Sequence, residues 1–473
     1  MLGMRRRILA VATIAALAVP ALAGPAMANQ RDAEHRFSQV RDHPAKLEHF
    51  LDSMPKGADL HTHLTGAVRT ESLIKWGAAD GLCVNLQSLT AVSPPCTDAA
   101  PPLTNALASN SLRDRVLDAW SMRGFDTSEQ SGHDHFFATF GLFRQVMLNR
   151  IADGLTEITD RAATQNILYM EPMTSPSEES VYSAVDHVTF DAKKLKSVRN
   201  QLVSAGIFHS MGKAKQDTVS VLKKSRQQQQ CGTKKAANGC NVKLRFDIQV
   251  ARDLPPQDVF GQLVFGFELM KRDPHWAGIN LVQAEDGNYS MRDYRLHMRM
   301  IRLLRSLYPH AKVSLHAGEL VPRVASPADL RFHIRSAVEV ARADRIGHGA
   351  DLRWEARPRQ LLREIRERGT CVEINLTSNA QILGLRGKRH PIRDYLKAHV
   401  KVALSTDDQG ISRTDLTDEY VRAVREQGLS YDQLKQIART SLECAFLPAD
   451  QKRTELAKQA MLFRAFESRY SSH

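Results

Sequence analysis

Eight short apolar runs that end in polar residues constrain the fold of this chain more than any other feature. Most are followed by a helical pattern, and alternating strands and helices are typical of a parallel sheet. The runs cover residues 57–63, 166–172, 242–253, 278–286, 312–319, 344–352, 371–379 and 401–408. Eight strand-then-helix units predict an α/β fold, a (β/α)8 TIM barrel. An open doubly wound sheet would carry a Gly-rich phosphate turn after its first strand, and the sequence has none there.

Histidine and carboxylate residues stand at the C-terminal ends of these runs, which is where the sites of (β/α)8 barrels form. They are His61 and His63 in the first run, His316 and Glu319 in the fifth, His348 in the sixth, and Asp407 and Asp408 in the eighth. Residues two apart on a strand share a face, so the first two histidines are expected to point the same way. The sequence therefore predicts one polar site at the mouth of the barrel.

Four of these side chains form a candidate metal site: His61, His63, His316 and Asp407. Three neutral imidazoles and one carboxylate suit zinc, with a further position open for water. We therefore expect one Zn²⁺ per chain. Zinc would lower the pKa of its water and supply hydroxide as a nucleophile. A lone His-x-His pair is weak support for such a site, whereas the ordered set of motifs is specific.

The segments "HTHLTGAV", "SLHAGE", "RIGHG" and "STDD", in that order, resemble the metal-dependent adenosine deaminase family of the amidohydrolase superfamily. The resemblance extends from about Lys56 to Phe463, and it implies a (β/α)8 barrel with one catalytic zinc. A cysteine-bearing insertion after the first strand is also similar to the secreted, growth-factor-related branch of that family. The implied reaction is hydrolytic deamination of adenosine or a related aminopurine nucleoside to the 6-oxo product plus ammonia.

Carried over to matching positions, the resemblance gives each remaining polar residue a role. Glu319 would donate a proton to the ring nitrogen N1 as hydroxide attacks C6, and burial would favour its protonated form. His348 would hold the attacking water and help to deprotonate it. Asp408 would form a hydrogen bond with the attacking hydroxide or with the purine N7. Asp407 and Asp408 can both serve one site only if the eighth strand has ended before them.

Two positions depart from the family pattern in the predicted substrate pocket. Thr65 stands where adenosine deaminases usually carry an Asp for the ribose hydroxyl, and Gln283 stands where they carry a Gly against the purine edge. Deamination is therefore better supported than specificity for adenosine. Glu171, Ser378 and Asn379, at the ends of two further runs, either line the pocket or form hydrogen bonds at the barrel rim.

Other functions predict other features. Two-metal amidohydrolases that cleave amides or esters commonly use a carboxylated lysine at the end of the fourth strand, and "NLVQAED" offers no lysine. Another mononuclear amidohydrolase reaction nevertheless remains an alternative. A secreted nucleoside-binding protein without turnover should have lost a ligand or Glu319, and all are present. The cytidine-deaminase zinc motif, His-x-Glu with Pro-Cys-x-x-Cys, is absent from the sequence.

The N-terminus predicts export. Residues 1–28 combine a basic start, an apolar stretch and Ala26-Met27-Ala28, which is the pattern of a cleaved signal peptide. The apolar stretch is short of the ~20 residues that a membrane span needs. We expect a periplasmic or secreted protein with a helical segment at 29–55 and a barrel at 56–473. Insertions at 81–112 and 211–241 are interpreted as loops on that barrel.

The six cysteines fit an oxidising compartment. Cys83 with Cys96, and Cys231 with Cys240, could close local disulfides within the two insertions. Cys371 and Cys444 lie in apolar surroundings and are predicted to be buried free thiols.

The formal net charge of +13 raises the question of an anionic partner. The charges are scattered, and the basic segment 213–235 has no interleaved aromatic residues of the kind that stack on nucleic acids. We therefore expect no nucleic-acid partner, and no membrane partner after cleavage of the signal. The family resemblance implies a small-molecule purine nucleoside as partner.

Overall fold

Eight parallel strands form the centre of the molecule in a computed structural model, which describes residues 25–125 and 131–471. We number them β1 to β8 in chain order. Their bounds are Gly57–His63 (β1), Ile167–Thr174 (β2), Phe246–Ala251 (β3), Trp276–Val282 (β4), Ser314–Ala317 (β5), Arg345–His348 (β6), Cys371–Ile374 (β7) and Lys401–Leu404 (β8). A two-residue strand, Lys243–Leu244, precedes β3 and pairs with β2. Each strand lies within a run that the sequence predicted, give or take two residues.

The strands pair in chain order as two parallel sheets, β1 to β4 and β5 to β8. Two isolated parallel bridges join these sheets. Ile279 pairs with Val313 between β4 and β5, and Thr62 pairs with Asp407 between β1 and the end of β8. The ring of eight neighbours is thereby complete, and the predicted (β/α)8 fold is confirmed.

Helices surround the ring and cover the apolar outer faces of its strands. Their bounds are Pro25–Val40, Pro44–Asp52, Leu64–Ala67, Thr70–Ala79, Thr104–Ala108, Asn110–Ala119, Gly132–Met147, Ile151–Thr164, Glu179–Val185, Leu195–Ser204, Met211–Gln228, Pro256–Arg272, Asn288–Leu307, His333–Glu339, Pro358–Arg368, Leu376–Ile382, Ile392–Lys397, Gln409–Ser412, Leu416–Arg425, Tyr431–Cys444 and Ala449–Ser468. Short 3-10 turns lie at Asn238–Asn241, Asp329–Arg331 and Gly387–Arg389.

The N-terminal helices pack against the last helices of the chain. Phe37 and Phe50 are buried beside Tyr431 and Phe466, with ring centroids 5.1–6.2 Å apart. Most of the predicted signal segment, residues 1–24, lies outside the described residues. Across 25–125 and 131–471, no helix combines the length and the apolar character that a membrane span requires.

The two insertions differ in structure. Residues 81–112 contain a two-stranded hairpin, Cys83–Val84 with Ala91–Val92, and the disulfide Cys83–Cys96. The loop interpretation of 211–241 is wrong over its first half, because residues 211–228 form a helix. Met211, Ala214 and Thr218 are buried along one face of it at helical spacing. The remainder is a loop closed by the disulfide Cys231–Cys240.

The prediction of two free thiols is wrong. Cys371, the first residue of β7, forms a disulfide with Cys444 at the end of helix Tyr431–Cys444. Cys371 is buried in an apolar cluster and the partly buried Cys444 packs against it, an environment common to a thiol and to a disulfide, so composition alone did not separate the two states. Their sequence separation of 73 also hid the pairing, which depends on the closed barrel.

A buried arginine holds the interior of the barrel together below its mouth. Arg345 of β6 is 1% exposed and forms ion pairs with Glu171, Asp247 and Glu373 on three other strands. The ring of Phe446 lies 3.6 Å from its guanidinium carbon. Glu171 therefore acts inside the barrel as a partner of Arg345, and it does not line the pocket.

Candidate active site

The four predicted metal ligands meet at the mouth of the barrel. The Nε2 atoms of His61 and His63 lie 3.1 and 3.2 Å from Nε2 of His316. Oδ1 of Asp407 lies 3.7 Å from Nε2 of His61 and 3.4 Å from Nε2 of His63. All four residues are at most 8% exposed. Strands β1, β5 and β8, which are far apart in sequence, thus supply four donor atoms to one point.

The second ring nitrogen of each histidine has its own partner. Nδ1 of His61 lies 2.8 Å from a carboxylate oxygen of Glu373. Nδ1 of His316 lies 2.8 Å from Oδ1 of Asn280, and Nδ1 of His63 lies 2.7 Å from the carboxamide of Gln249. These partners are Glu373, Asn280 and Gln249. The oxygens of Glu373 and Asn280 can accept the Nδ1 protons of His61 and His316, which leaves their Nε2 atoms free to bind a metal. At His63 the amide nitrogen of Gln249 faces Nδ1, and metal binding through Nε2 requires the opposite orientation of this carboxamide, with its oxygen towards Nδ1.

The donor set fits a zinc ion. Donors bound at ~2.0–2.1 Å around one tetrahedral ion lie ~3.3 Å apart, and the observed separations are 3.1–3.7 Å. Burial lowers the pKa of His63 to about 4 and that of His316 well below its usual range. Both imidazoles are therefore neutral near pH 7, which is the form that binds a metal.

The charges of His61, on the first strand, and of Asp407, after the last strand, influence each other. Burial acts to lower the pKa of His61, but its hydrogen bond to Glu373 and the nearby carboxylates raise it overall. Burial acts in the opposite direction on Asp407, yet the surrounding histidines hold the pKa of its carboxyl below the usual value. Asp407 is therefore the anionic member of the set.

Glu319 lies beside the metal ligands at the end of β5. Its Oε1 is 3.5 Å from Nδ1 of His348, and it groups with His348 and Asp407 within 4.8 Å. Burial, reinforced by the charges of Asp407 and Glu285, holds the pKa of its carboxyl well above the usual range. A neutral carboxyl can donate a proton, as the predicted role requires.

His348 ends β6 with a left-handed backbone, φ 64°, which is uncommon for a residue other than glycine. Asn379 donates to its Nδ1 over 2.9 Å, and His390 lies 3.0 Å from the oxygen of the same carboxamide. This arrangement places the proton of a neutral His348 on Nε2. That atom has no hydrogen-bond partner among the described residues and lies 4.0 Å from Asp407.

Asp408 is next to Asp407 because the strand has already ended. Strand β8 stops at Leu404, and Asp407 has φ 56°, so the alternation of a strand no longer applies. Gly66 makes room for the second carboxylate: a Cβ there would lie 1.7 Å from Oδ1 of Asp408. Burial and the adjacent Asp407 raise the pKa of Asp408 well above its usual value.

The two predicted specificity residues lie at the rim. Thr65 is half-buried in the short helix that follows β1. Gln283 is exposed after β4 with φ 78°, and its side-chain oxygen accepts from the backbone N–H of Asp253 over 2.8 Å. The backbone at this position thus keeps a conformation that favours glycine, the residue the family carries there.

The structure brings every predicted metal ligand together with Glu319, His348 and Asp408. The sequence left Asn379 as either a pocket residue or a hydrogen-bonding residue of the barrel rim, and the structure places it in a hydrogen bond to His348. Sequence reasoning missed Glu373, Asn280 and Gln249, because a polar residue inside an apolar run carries no local sign of its partner. The one available signal was burial: a charged residue in a central strand needs a partner.

Comparison with known proteins shows the family of the chain. The sequence model of the family described as "Adenosine deaminase" matches residues 182–460, more than half of the chain. Adenosine deaminases of Escherichia coli strains SE11 and O1:K1 are each 33% identical over 149 residues, which is 31% of this chain. The aligned part spans 41% of the length of these curated relatives.

Solved structures share the fold. An N6-methyl-AMP deaminase from Arabidopsis thaliana covers 88% of this chain and 98% of its own, with a TM-score of 0.55 and 18% identity. An adenine deaminase from Arthrobacter aurescens covers 86% and 98%, with a TM-score of 0.54 and 16% identity. An amidohydrolase from Burkholderia ambifaria with bound Zn covers 90% and 95%, with a TM-score of 0.57 and 18% identity.

The region that the family model matches contains most of the candidate site. Residues 182–460 include His316, Glu319, His348, Asp407 and Asp408, and β1 adds the remaining two ligands by geometry. The chain belongs to the adenosine deaminase family.

Proposed function

We propose that this protein is a zinc-dependent aminohydrolase that replaces the 6-amino group of an aminopurine compound, such as adenosine, with oxygen and releases ammonia. The observation that carries the proposal is the convergence of three imidazole nitrogens and one carboxylate oxygen within 3.1–3.7 Å, beside a neutral carboxyl group. A proton donor next to such a donor set is what hydrolysis of an aromatic amine needs.

His61, His63, His316 and Asp407 would hold the metal. When bound there, zinc would acidify a water molecule and so make a nucleophile available at neutral pH. His348 carries its proton on Nε2 and points towards Asp407, so it can hold the attacking oxygen by a hydrogen bond. Oδ1 of Asp408 is buried without a partner among the described residues, so it can accept from that oxygen.

Glu319 supplies the proton that makes the ring reactive. Addition of oxygen to C6 puts negative charge on N1, and a carboxyl that protonates N1 relieves it. Overall the C6–O bond forms and the C6–N bond breaks. One water supplies the oxygen, one hydrogen for the departing ammonia and one for N1.

The substrate within the aminopurines is a finer question. Deaminases that share this fold are named for N6-methyl-AMP and for adenine, so the barrel alone does not select the group on N9. Thr65 offers a hydroxyl where the family usually has a carboxylate. We therefore propose that the substrate is a nucleoside, and that its ribose hydroxyl forms a weaker hydrogen bond with Thr65 than it would with the usual carboxylate.

Export is a second part of the proposal. All six cysteines are paired, in disulfides that close both insertions and tie β7 to a C-terminal helix. Such pairing is typical of oxidising compartments, and it supports the signal peptide proposed for residues 1–28. Fractionation of cells that express the full chain, with N-terminal sequencing of the product, tests this directly. Intracellular protein with an intact N-terminus would contradict it.

The reaction itself is tested by purified protein of known zinc content. The panel contains adenosine, deoxyadenosine, adenine, adenosine monophosphate and N6-substituted aminopurines. Formation of the 6-oxo product is followed by ultraviolet absorbance, and release of ammonia or amine is measured separately. We expect turnover of at least one compound, with adenosine favoured. If one zinc is bound and no compound reacts, the proposed function is wrong.

A further inference from the structure

Two buried charged residues form hydrogen bonds with the backbone of the segment from His316 to Glu319. They contact neither the donor atoms of the metal ligands nor the carboxyl group of Glu319. Arg252, at the end of β3, is 0% exposed, and Glu285, beyond the end of β4, is 1% exposed. Nη2 of the arginine lies 3.9 Å from Oε2 of the glutamate. A buried ion pair is costly to desolvate and needs further hydrogen bonds to satisfy it. Its remaining bonds therefore show what it does.

Both carboxylate oxygens of Glu285 accept hydrogen bonds from the turn that carries Glu319. Oε1 accepts from the backbone N–H of Gly318 over 3.0 Å, and Oε2 accepts from the backbone N–H of Glu319 over 2.8 Å. Nδ1 of His333 lies 2.6 Å from Oε1. The carboxylate thus has three hydrogen-bond partners, and two of them are consecutive amides of the active-site turn.

Arg252 binds the backbone at the other end of the same segment. Its Nη1 donates to the backbone oxygen of the metal ligand His316 over 3.1 Å. Its Nε and Nη2 donate to the backbone oxygen of Gln283, which anchors the arginine to the strand before Glu285. The ion pair therefore reaches both ends of the segment from His316 to Glu319.

The turn has little freedom of its own to replace these bonds. Gly318 has φ 77°, and a Cβ there would lie 2.4 Å from Oδ1 of Asp351, so only glycine fits. The backbone oxygen of Gly318 accepts from Ala350 and Asp351, each over 2.9 Å. The amides of Gly318 and Glu319 point the other way, towards Glu285, and a buried amide needs such an acceptor.

We propose that Glu285, supported by Arg252, is a positioning residue that fixes the proton donor Glu319 relative to the metal ligand His316. It acts through the backbone of the turn and does not touch the reacting atoms. Catalysis depends on placing a proton donor to within a fraction of an ångström. The structural part of the proposal stands on the contacts, whereas its consequence for turnover rests on the function proposed above.

Glu285→Gln tests the proposal with almost no change in side-chain volume. One oxygen becomes an NH₂ group, which cannot accept from either backbone amide. Hydrogen exchange followed by mass spectrometry on the peptide that contains Gly318 and Glu319 reports the loss without any substrate. We expect exchange in that peptide to accelerate at least tenfold, with the peptide that contains His61 unchanged and one zinc still bound.

Kinetics give the second readout. We expect kcat of Glu285→Gln to fall about 10–100-fold, because Glu319 is less well placed, with KM changed less than threefold. Glu455→Gln is the matched control: Glu455 is 2% exposed and pairs with Lys243, far from the mouth. It should leave exchange of the 318–319 peptide and kcat unchanged.

Several outcomes overturn the proposal. Unchanged exchange at Gly318 and Glu319 in Glu285→Gln would show that Glu285 does not hold this turn, regardless of the effect of the substitution on kcat. Loss of zinc together with faster exchange throughout the barrel would show a general structural role instead. If Glu285→Gln does not fold, His333→Gln removes one support of Glu285 and should accelerate the same peptide to a smaller degree; no change there would also overturn it. Absence of turnover in the wild type would leave the exchange test valid.

Discussion

Two groups of buried ionisable side chains lie within one barrel, and they are arranged in opposite ways. At the mouth, His61, His63, His316 and Asp407 direct their donor atoms at one shared point. In the interior, each of the three carboxylates around Arg345 directs one oxygen at that guanidinium. The residue types alone do not distinguish chemistry from structure. What distinguishes them is whether the donor atoms face a partner or face a common space.

Buried polar atoms without hydrogen-bond partners occur in both groups of the described residues. Nε2 of His348 and Oδ1 of Asp408 are examples at the mouth, and Oδ1 of Asp247 is an example in the interior. Such an atom costs free energy of folding, and at the mouth a ligand or substrate can supply the missing partner. Glu373 belongs to both groups, since it pairs with Arg345 and accepts from His61. The interior group therefore also supports the orientation of one metal ligand.

If the residues at the mouth carry out catalysis, Glu319→Gln should cause the largest loss of activity. The amide cannot supply the proton to N1, so we expect kcat to fall about 10²–10⁴-fold. Zinc content and the free energy of unfolding should stay near wild type, because no ligand is removed. Steady-state kinetics with metal analysis checks both. Activity within threefold of wild type would remove Glu319 from the mechanism.

If the interior group is structural, Arg345→Met should act mainly on stability. Its removal leaves buried carboxylates without their cation, which costs about 3–5 kcal/mol of the free energy of unfolding. Urea unfolding of the zinc-loaded variant measures this. Arg439→Met is a suitable control, since Arg439 is an exposed residue paired with Glu443 one helical turn away and should change the free energy by less than ~1 kcal/mol. A destabilisation no larger than in the control would contradict the structural role.

The disulfide beside the interior group should contribute less. Replacing Cys371 and Cys444 together by Ser should lower the free energy of unfolding by about 2–4 kcal/mol. Loop-closure entropy makes this loss greater than for the Cys83–Cys96 pair, because the sequence separation of the two cysteines is 73 rather than 13. Unfolding of both double variants under identical conditions compares them. The reverse order would show that the entropy of the unfolded chain does not decide their contribution.

The smallest expected effect concerns the rim of the mouth. Thr65→Asp should lower KM for adenosine about 2–10-fold, since a carboxylate accepts a stronger hydrogen bond from a ribose hydroxyl. KM for adenine, which has no ribose, should not improve. Measuring both substrates on both proteins separates a ribose contact from a general change. An equal shift for adenine would place Thr65 outside the ribose site.

The sequence predicted the strands and their polar ends because both are local features. An apolar run followed by His316 or Asp407 is visible within ten residues, and the closed barrel then brings such ends together. The prediction of the zinc ligands depended on the order of the motifs along the chain, because no single motif was specific enough.

The partners of those residues could not be predicted because they depend on pairing across the barrel. Glu373 lies in an ordinary strand, and only its contact with His61 shows what it does. The disulfide Cys371–Cys444 required the same long-range information. The helix Met211–Gln228 was missed for a different reason: its polar composition, including "QQQQ", hid the buried face of Met211 and Ala214.

The central claim is that one metal at the mouth drives deamination, and metal titration tests it most directly. Protein stripped of metal with a chelator is titrated with zinc while deamination of adenosine, or of the best substrate in the panel, is followed. We predict that activity rises linearly up to one equivalent and then stays constant, and that His61→Ala neither holds zinc nor gains activity. Full activity without metal, or a plateau only at two equivalents, would contradict a site built from these four side chains.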